Sequence, residues 1–309
     1  MEIRLASLDD VKGIVEVHCS DVEKWFRVVG GRRVEADYGS LSVGERFLHG
    51  GPWMSIETCA IHLNYLLISK QYPLVAIADG KVVGELELFI CSEDNVLGKT
   101  AFIDILVVHK DYRRKGIGRA LINYARRLAV KRECDTLSVW PEEKAIPFYR
   151  KCGLSKEAYK VIHVVINLEE LKSIELLLPL EPFPRNYKLL EDMVFISPRF
   201  FPSYVAWVKS SWEYALKEHR FKVLDGFIPT IGAFIVEEYW KNRREAVFKL
   251  WVEHLKLLPV FLKILGSLAR ERGYIKAHLY VEEGVFDTWI KPLKAETKEK
   301  HVILYEKLR

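Results

Sequence analysis

The residues of this chain whose types and order could do chemistry stand together between Asp104 and Gly118, in the run DILVVHKDYRRKGIG. An apolar stretch closing on Leu106, Val107 and Val108 leads through Arg113-Arg114-Lys115 into Gly116-Ile117-Gly118 and then Arg119. A strand that turns into a helix in this way leaves several backbone N–H groups without a helical acceptor, at the positive end of the helix dipole. Phosphate oxygens satisfy such groups. Gly116 and Gly118 lack the Cβ atoms that would hold a pyrophosphate off the backbone, and Arg113, Arg114, Lys115 and Arg119 supply charge for the remaining oxygens. The same residues also fit a solvated basic turn that only caps a helix. No GK[ST] follows, which excludes a Walker loop, and Leu121 stands where a dinucleotide GxGxxG wants a third small residue.

Periodicity indicates the elements that must hold this junction. Glu2–Ala6 reads as a strand, and Ser7 as the N-cap of a helix carrying Val11, Ile14 and Val15. The stretch from Ser20 to Gly51 is rich in glycine, arginine and aromatic residues and has no clear period. A helix over Ser55–Ser69 is expected next. Pro73–Ala78 and Lys81–Phe89 flank Asp79-Gly80, a two-residue hairpin signal. Thr100–Val108 is apolar enough for a strand covered on both faces. Gly116–Val130 has helical spacing, with Ile117, Ala120, Leu121, Tyr124 and Leu128 on one side. A strand over Thr136–Trp140, a short helix over Glu142–Lys151 ended by Gly153, and a strand over Val161–Leu168 complete this half. Leu176–Pro184 is an apolar run studded with prolines, near which a boundary is expected. Beyond it the pattern predicts a helix over Ser203–Lys217, strands over Ala233–Tyr239 and Ala246–Val252, a helix over Pro259–Arg272, and strands over Ile275–Val281 and His301–Leu308. This order echoes the first half.

The 309 residues suit two domains, and half of them being apolar marks a globular chain. A net charge of +5 is mild. It fits a small anionic ligand at least as well as nucleic acid, whose binders concentrate more charge on one face, so nucleic acid is not an expected partner. Cys19, Cys59, Cys91, Cys134 and Cys152 are odd in number and show no CxxC spacing, which argues against a disulfide framework and against zinc. The histidines lack metal-ligand spacing, and no metal is expected. There is no charge-free window long enough to span a membrane and no leader pattern, so a cytoplasmic protein is expected. Gln71 is the only glutamine among abundant Lys, Arg and Glu, a trend associated with thermophiles.

Arg113-x-x-Gly116-x-Gly118, five residues after Val108 in a Leu106-x-Val108 strand, resembles the acetyl-CoA signature of the GNAT superfamily of N-acetyltransferases. Ala145-x-x-Phe148-Tyr149-x-x-x-Gly153-Leu154 is similar to that family's second motif, on a short helix after the fifth strand. The resemblance covers roughly residues 1–168. It implies an α/β fold, a mixed central sheet flanked by helices, with a GNAT domain over 1–170 and a second, GNAT-like α/β domain over 171–309. Two positions depart from the family pattern. Lys110 stands where proline is frequent, and Glu142 where many members have an asparagine that contacts the cofactor.

The resemblance further implies acetyl-CoA as cofactor, held by Leu106, Val107 and Val108 along the pantetheine, by Arg113 through Arg119 at the phosphates, and by Ala145 and Phe148. A primary amine, on a small molecule or a peptide, would attack the acetyl group directly in a ternary complex. Tyr149 would protonate the departing thiolate. Asp104, spaced to share a strand face with Leu106 and Val108, is one candidate base, and Glu85 and Glu87 are alternatives. Tyr149 also fits a packed aromatic with a satisfied hydroxyl, and Asp104 a buried, hydrogen-bonded structural carboxylate. His109 is expected to be a surface residue at the strand end. Trp25, Tyr38, His49 and Trp53 in the long early segment would either close over a substrate or form a minor cluster beneath a loop. The turn after Val252, Glu253-His254-Leu255-Lys256-Leu257-Leu258-Pro259, has no glycine, so the second half is not expected to bind coenzyme A. A role in dimerisation or in shaping the acceptor site would remain for it. The alternative to an enzyme is an acyl-CoA-binding sensor without turnover.

Overall fold

Most strands form where alternating apolar residues meet turn residues. The structure, a computed structural model, describes all residues except 94–95, 173, 175–177, 197–201, 213–215 and 217–220. In the first half β1 (Glu2–Leu5) and α1 (Val11–Cys19) precede a small hairpin, β2 (Phe26–Val29) and β3 (Arg32–Glu35). Then come α2 (Val43–Phe47), α3 (Ile56–Ile68), β4 (Tyr72–Ala78), β5 (Lys81–Glu93), β6 (Gly98–Val108), α4 (Ile117–Lys131), β7 (Thr136–Val139), α5 (Ile146–Lys151) and β8 (Lys156–Asn167). The second half holds β9 (Val194–Ile196), α6 (Ser203–Ser210), β10 (Lys222–Ile228), β11 (Gly232–Tyr239), β12 (Asn242–Val252), α7 (Leu258–Arg270), β13 (Lys276–Glu282) and β14 (Glu296–Lys307). The expected helix over Ser203–Lys217 is thus seen as α6, and the rest of that span falls partly outside the described residues, as does the start of the apolar run at Leu176.

Twelve of these strands make one mixed sheet, in the order β1-β4-β5-β6-β7-β14-β8-β13-β12-β11-β10, with β9 on β12. The echo between the halves is structural. β4-β5-β6 is an antiparallel meander followed by α4 and the parallel strand β7, and β10-β11-β12 is followed by α7 and the parallel strand β13. The final strands are exchanged. β14, the last strand of the chain, pairs with β7 of the first half, and β8 pairs with β13 of the second. β14 and β8 also pair with each other, which closes the seam.

On one face of the sheet α4 covers a core of Leu86, Leu88, Ile103, Leu137 and Leu304, and α7 covers Val164, Phe248, Leu250 and Leu279. The buried side of α4 is Ile117, Leu121, Ile122, Ala125 and Ala129, so the stripe is rotated from the expected one, with Tyr124 and Leu128 at its border. On the opposite face α1 and α3 pack Ile14, Leu63 and Leu66 against Phe89 and Phe102, and Val205 of α6 joins them. Ala206, the next residue of α6, packs instead against Ala233, Ile235 and Trp251. One short helix therefore bridges both halves.

Regular pairing fails at two points around β6. β6 and β7 pair only from Thr100↔Thr136 to Ile103↔Val139 and then part. Opposite the parting, the β5–β6 register slips: Glu87 faces Ile105 but Leu88 faces Ile103, leaving Asp104 as an extra residue. In the second half β12 and β13 likewise pair only over Glu245–Val247 with Lys276–His278. There β9 pairs with Leu250–Val252 of β12, whose other edge is already taken by β11, so β9 fills the equivalent parting.

At the seam a buried polar chain runs from Glu245 through His278 to His163. Glu245 Oε2 lies 2.7 Å from His278 Nε2, and His278 Nδ1 lies 2.9 Å from His163 Nε2. His163 stacks on Tyr280 at 4.4 Å, and its Nδ1 is buried with no hydrogen-bond partner among the described residues. Burial, helped by the neighbouring His278, His301 and lysines, lowers the His163 pKa from 6.5 to about 4. The unfolded chain therefore takes up this proton first as the pH falls, so stability present above pH 6.5 is lost progressively towards pH 4. Urea unfolding followed by circular dichroism should show a shallower acid-side loss for His163→Gln than for the wild type. An unchanged slope would remove His163 from the acid sensitivity.

Candidate active site

The parting of β6 from β7 gives the site its shape. Beyond Ile103 the backbone of Asp104–Val108 has no strand partner on its β7 side among the described residues, while its other edge stays paired with β5. An extended chain of amide groups can pair with such an edge. At the end of β6 the chain makes a single turn over Lys110–Tyr112 and enters α4 through Gly116. Gly116 is left-handed at φ 84°, and a Cβ there would meet nothing within 4 Å. The space above it is open, and the N–H groups of Ile117, Gly118 and Arg119 have no acceptor inside the helix. Gly118 serves packing as well: a Cβ on it would come 3.1 Å from the Phe148 ring, so α4 and α5 approach closely here.

The four cations of the turn divide. Arg113 Nε donates to the Val108 carbonyl at 3.0 Å, and its guanidinium pairs with the Asp21 carboxylate, so this side chain holds the turn. Lys115 Nζ donates to the Asp111 carbonyl at 3.0 Å and lies over Tyr112. Arg114 and Arg119 are exposed and form no ion pair among the described residues. His109 sits at the strand end, its Nδ1 accepting from the Asp111 N–H.

Leu106 and Val108 pack on the α4 face beside Ile117, Ala145 and Phe148. Tyr149 is buried on the same face, and burial together with nearby Cys152 and Glu142 raises its phenol pKa, so the proton stays on across the neutral range. The Asp104 side chain points the other way. The extra residue at the bulge breaks the alternation, so Asp104 joins the α1, α3 and α6 side and does not share a face with Leu106 and Val108 as its spacing suggests.

On that face five elements bring together a cluster of ionisable groups. Glu85 and Glu87 project from β5, each almost fully buried. Glu85 Oε2 lies 2.6 Å from His18 Nε2 on α1, and Glu87 Oε1 lies 2.8 Å from His62 Nε2 on α3. The Trp53 indole N–H also donates to Glu87 Oε1 at 2.8 Å, and its ring stacks on His18 at 5.1 Å. Glu87 Oε2 is buried without a hydrogen-bond partner among the described residues. From α6, Lys209 Nζ reaches Asp104 Oδ2 at 2.5 Å and lies 5.3 Å from the Phe89 ring and 5.8 Å from Trp212. Burial raises the Glu85 and Asp104 pKa values despite His18 and Lys209. Burial opposes ionisation of Glu87 too, but His62, Lys209 and the Trp53 indole together hold its pKa below the usual value.

Of the early aromatic residues only Trp53 enters this cluster. Trp25 packs on Tyr38 and His49, and the Tyr38 hydroxyl donates to the Met54 carbonyl at 3.2 Å, which ties that group to the segment carrying Trp53. His18, His62, Lys209 and Trp212 have no local spacing to mark them in the sequence. They meet only through helix packing. A cleft of about 530 Å³ lined by Glu170, Lys172, Lys263 and Lys294 shares no residue with this site.

Residues 44–154 match the family model described as the Acetyltransferase (GNAT) family. A GCN5-related N-acetyltransferase from Anabaena variabilis is similar over the whole chain and 73% of its own, at 14% identity and TM-score 0.65. One from Kribbella flavida is similar at 11% identity and TM-score 0.60, over 99% of this chain and 72% of its own. A tandem GNAT protein from the clavulanic acid biosynthesis pathway matches 100% of this chain and 98% of its own, at 16% identity and TM-score 0.53. No curated protein matches the sequence. Residues 44–154 are therefore similar to the GNAT acetyltransferase family, and the chain shares the fold of these proteins over its whole length.

Removing His62 would leave the ionised, fully buried Glu87 short of its nearest compensating group. His62→Ala should cost about 3–5 kcal/mol in urea unfolding, and Glu87→Leu added to it should recover most of that loss. A double variant as unstable as the single one would mean that His62 matters for packing and not for charge.

Proposed function

We propose that this protein is an N-acyltransferase that moves an acetyl group from acetyl-CoA to a primary amine in a ternary complex. The observation that carries the reading is the parting of β6 from β7 beside the glycine turn of α4. The residues present fit the cofactor: an unpaired strand edge for the pantetheine amides, an open cradle over Gly116 for the pyrophosphate, and Arg114 and Arg119 free of ion pairs among the described residues. Acetyl-CoA supplies the activated acyl group. Backbone groups of Leu106, Val107 and Val108 align it, the turn from Arg113 to Arg119 holds its phosphates, and Ala145 and Phe148 line its other side. A backbone N–H of the free β6 edge donates to the carbonyl oxygen as charge develops there.

The acceptor enters from the α1, α3 and α6 face. Three carboxyl groups with aromatic walls suit an ammonium, and the unused Glu87 Oε2 offers it a hydrogen bond. Asp104 takes the proton that the ammonium must lose, Glu85 and Glu87 being the neighbouring alternatives. Tyr149, kept protonated by burial, returns a proton to the thiolate. We place the coenzyme site in residues 1–170 and a silent copy in 171–309, their last strands exchanged. In the silent copy β9 fills the parting, and Leu257 caps α7 where the first half has Gly116. That half shapes the acceptor site through α6.

Calorimetric titration of coenzyme A, run beside thiol release from acetyl-CoA on a panel of amines, tests the reading. Gly118→Glu puts a carboxylate against the phosphates and should weaken binding by about two orders of magnitude, the worth of one or two charge-assisted hydrogen bonds. Its melting temperature checks that the contact with Phe148 leaves the fold intact. Binding by the wild type without release on any amine would favour the sensor, and no binding would end the assignment. Where an amine is turned over, Tyr149→Phe should lower kcat roughly 100-fold with KM little changed. An unchanged kcat would return Tyr149 to packing.

A further inference from the structure

The ammonium held at the carboxylate beside the parting belongs to the protein. Lys209 Nζ lies 2.5 Å from Asp104 Oδ2, and Asp104 is the bulged residue at which β6 leaves β7. The Phe89 and Trp212 rings flank the same nitrogen at 5.3 and 5.8 Å. The start of its helix is fixed to both halves: the Ser203 N–H donates to Glu93 Oε1 of β5 at 3.1 Å, and the Trp251 indole donates to the Ser203 hydroxyl at 2.8 Å. The lysine is thus delivered from the second half into the first by packed structure. Its side chain is 16% exposed, against 74% for Lys24 and 87% for Lys144.

We propose that Lys209 is an acetylation site on which this protein acts itself, with acetyl-CoA as donor. The inference rests on the acyltransferase reading above. Asp104 takes one proton from the ammonium, which its raised affinity for protons, a consequence of burial, favours. The freed Nζ lone pair forms the bond to the acetyl carbon as the carbon–sulfur bond breaks, and the second proton lost from Nζ is the one that, in net, ends on the coenzyme A thiolate. The products are a neutral Nζ-acetyl amide, coenzyme A thiol and the proton on Asp104, which passes to solvent. The amide carries no charge to pair with Asp104, so one turnover releases this carboxyl group for an external amine.

The experiment is incubation of the full chain with isotopically labelled acetyl-CoA, followed by intact mass and peptide mapping. Spontaneous acetylation favours exposed lysines such as Lys24 and Lys144. Self-modification instead places one acetyl group on the mostly buried Lys209, faster than on either. That signal should vanish in Lys209→Arg and in Gly118→Glu, and it should slow at least about tenfold in Asp104→Asn. Label confined to exposed lysines, or reaching Lys209 equally fast in Gly118→Glu, would overturn the proposal. Turnover of a free amine with Lys209 unmodified would overturn it alone, whereas absence of acetyl-CoA binding would overturn the acyltransferase reading with it.

Discussion

A strand edge inside a sheet must find partners for its N–H and C=O groups, and the structure depends on how that demand is met where β6 leaves β7. The bulge at Asp104 changes the register against β5 and bends the strand at the point where pairing with β7 stops. Carbonyl and amide groups that would continue the ladder are left for something else. In the second half the same demand arises where β12 leaves β13, and the chain answers it with its own β9. One architecture thus yields an open edge and a filled one. The difference between the halves lies in this segment and in the residues capping α4 and α7.

The exchange of β8 and β14 has a second consequence. Each half lends its last strand to the other, so Leu304, near the C-terminus, is buried in the core under α4 beside Leu137 and Leu154. Arg126 of α4 also holds Glu306 through two nitrogens. The core that backs the glycine turn is therefore completed by residues from the far end of the chain. α6 makes the reverse connection on the other face, where its neighbouring residues Val205 and Ala206 serve the two cores.

What the sequence reveals about this arrangement divides by distance. The turn from Arg113 to Gly118 and the helix around Tyr149 are contiguous, so both elements could be read directly. The hairpin at Asp79-Gly80 and the strand at Thr100–Val108 likewise carry their own signals. β10 is harder, because Gly226 interrupts it; the glycine is there for the close passage of Leu180, whose side chain would lie 2.5 Å from a Cβ. β14 begins earlier than its apolar pattern because Glu296–Lys300 are exposed and read as loop. A bulge of one residue leaves no mark in composition, and it turned Asp104 to the face opposite the expected one. The pairing of Lys209 with Asp104 spans 105 positions and has no periodic trace.

The ionisable cluster shows why both halves are needed on one face. Glu85, Glu87 and Asp104 bring three carboxyl groups into a volume walled by Trp53, Phe89 and Trp212, where isolated charges are costly. Two histidines from α1 and α3 offset part of that cost, but His18 pairs with Glu85 and His62 with Glu87. The cation that pairs with Asp104 comes from α6. Burial is the largest influence on the Asp104 carboxyl group and raises its proton affinity, while the Lys209 charge and hydrogen bond act against it. Through α6 the second half thus tempers the proton affinity of a carboxyl group that stands at the open edge of the first.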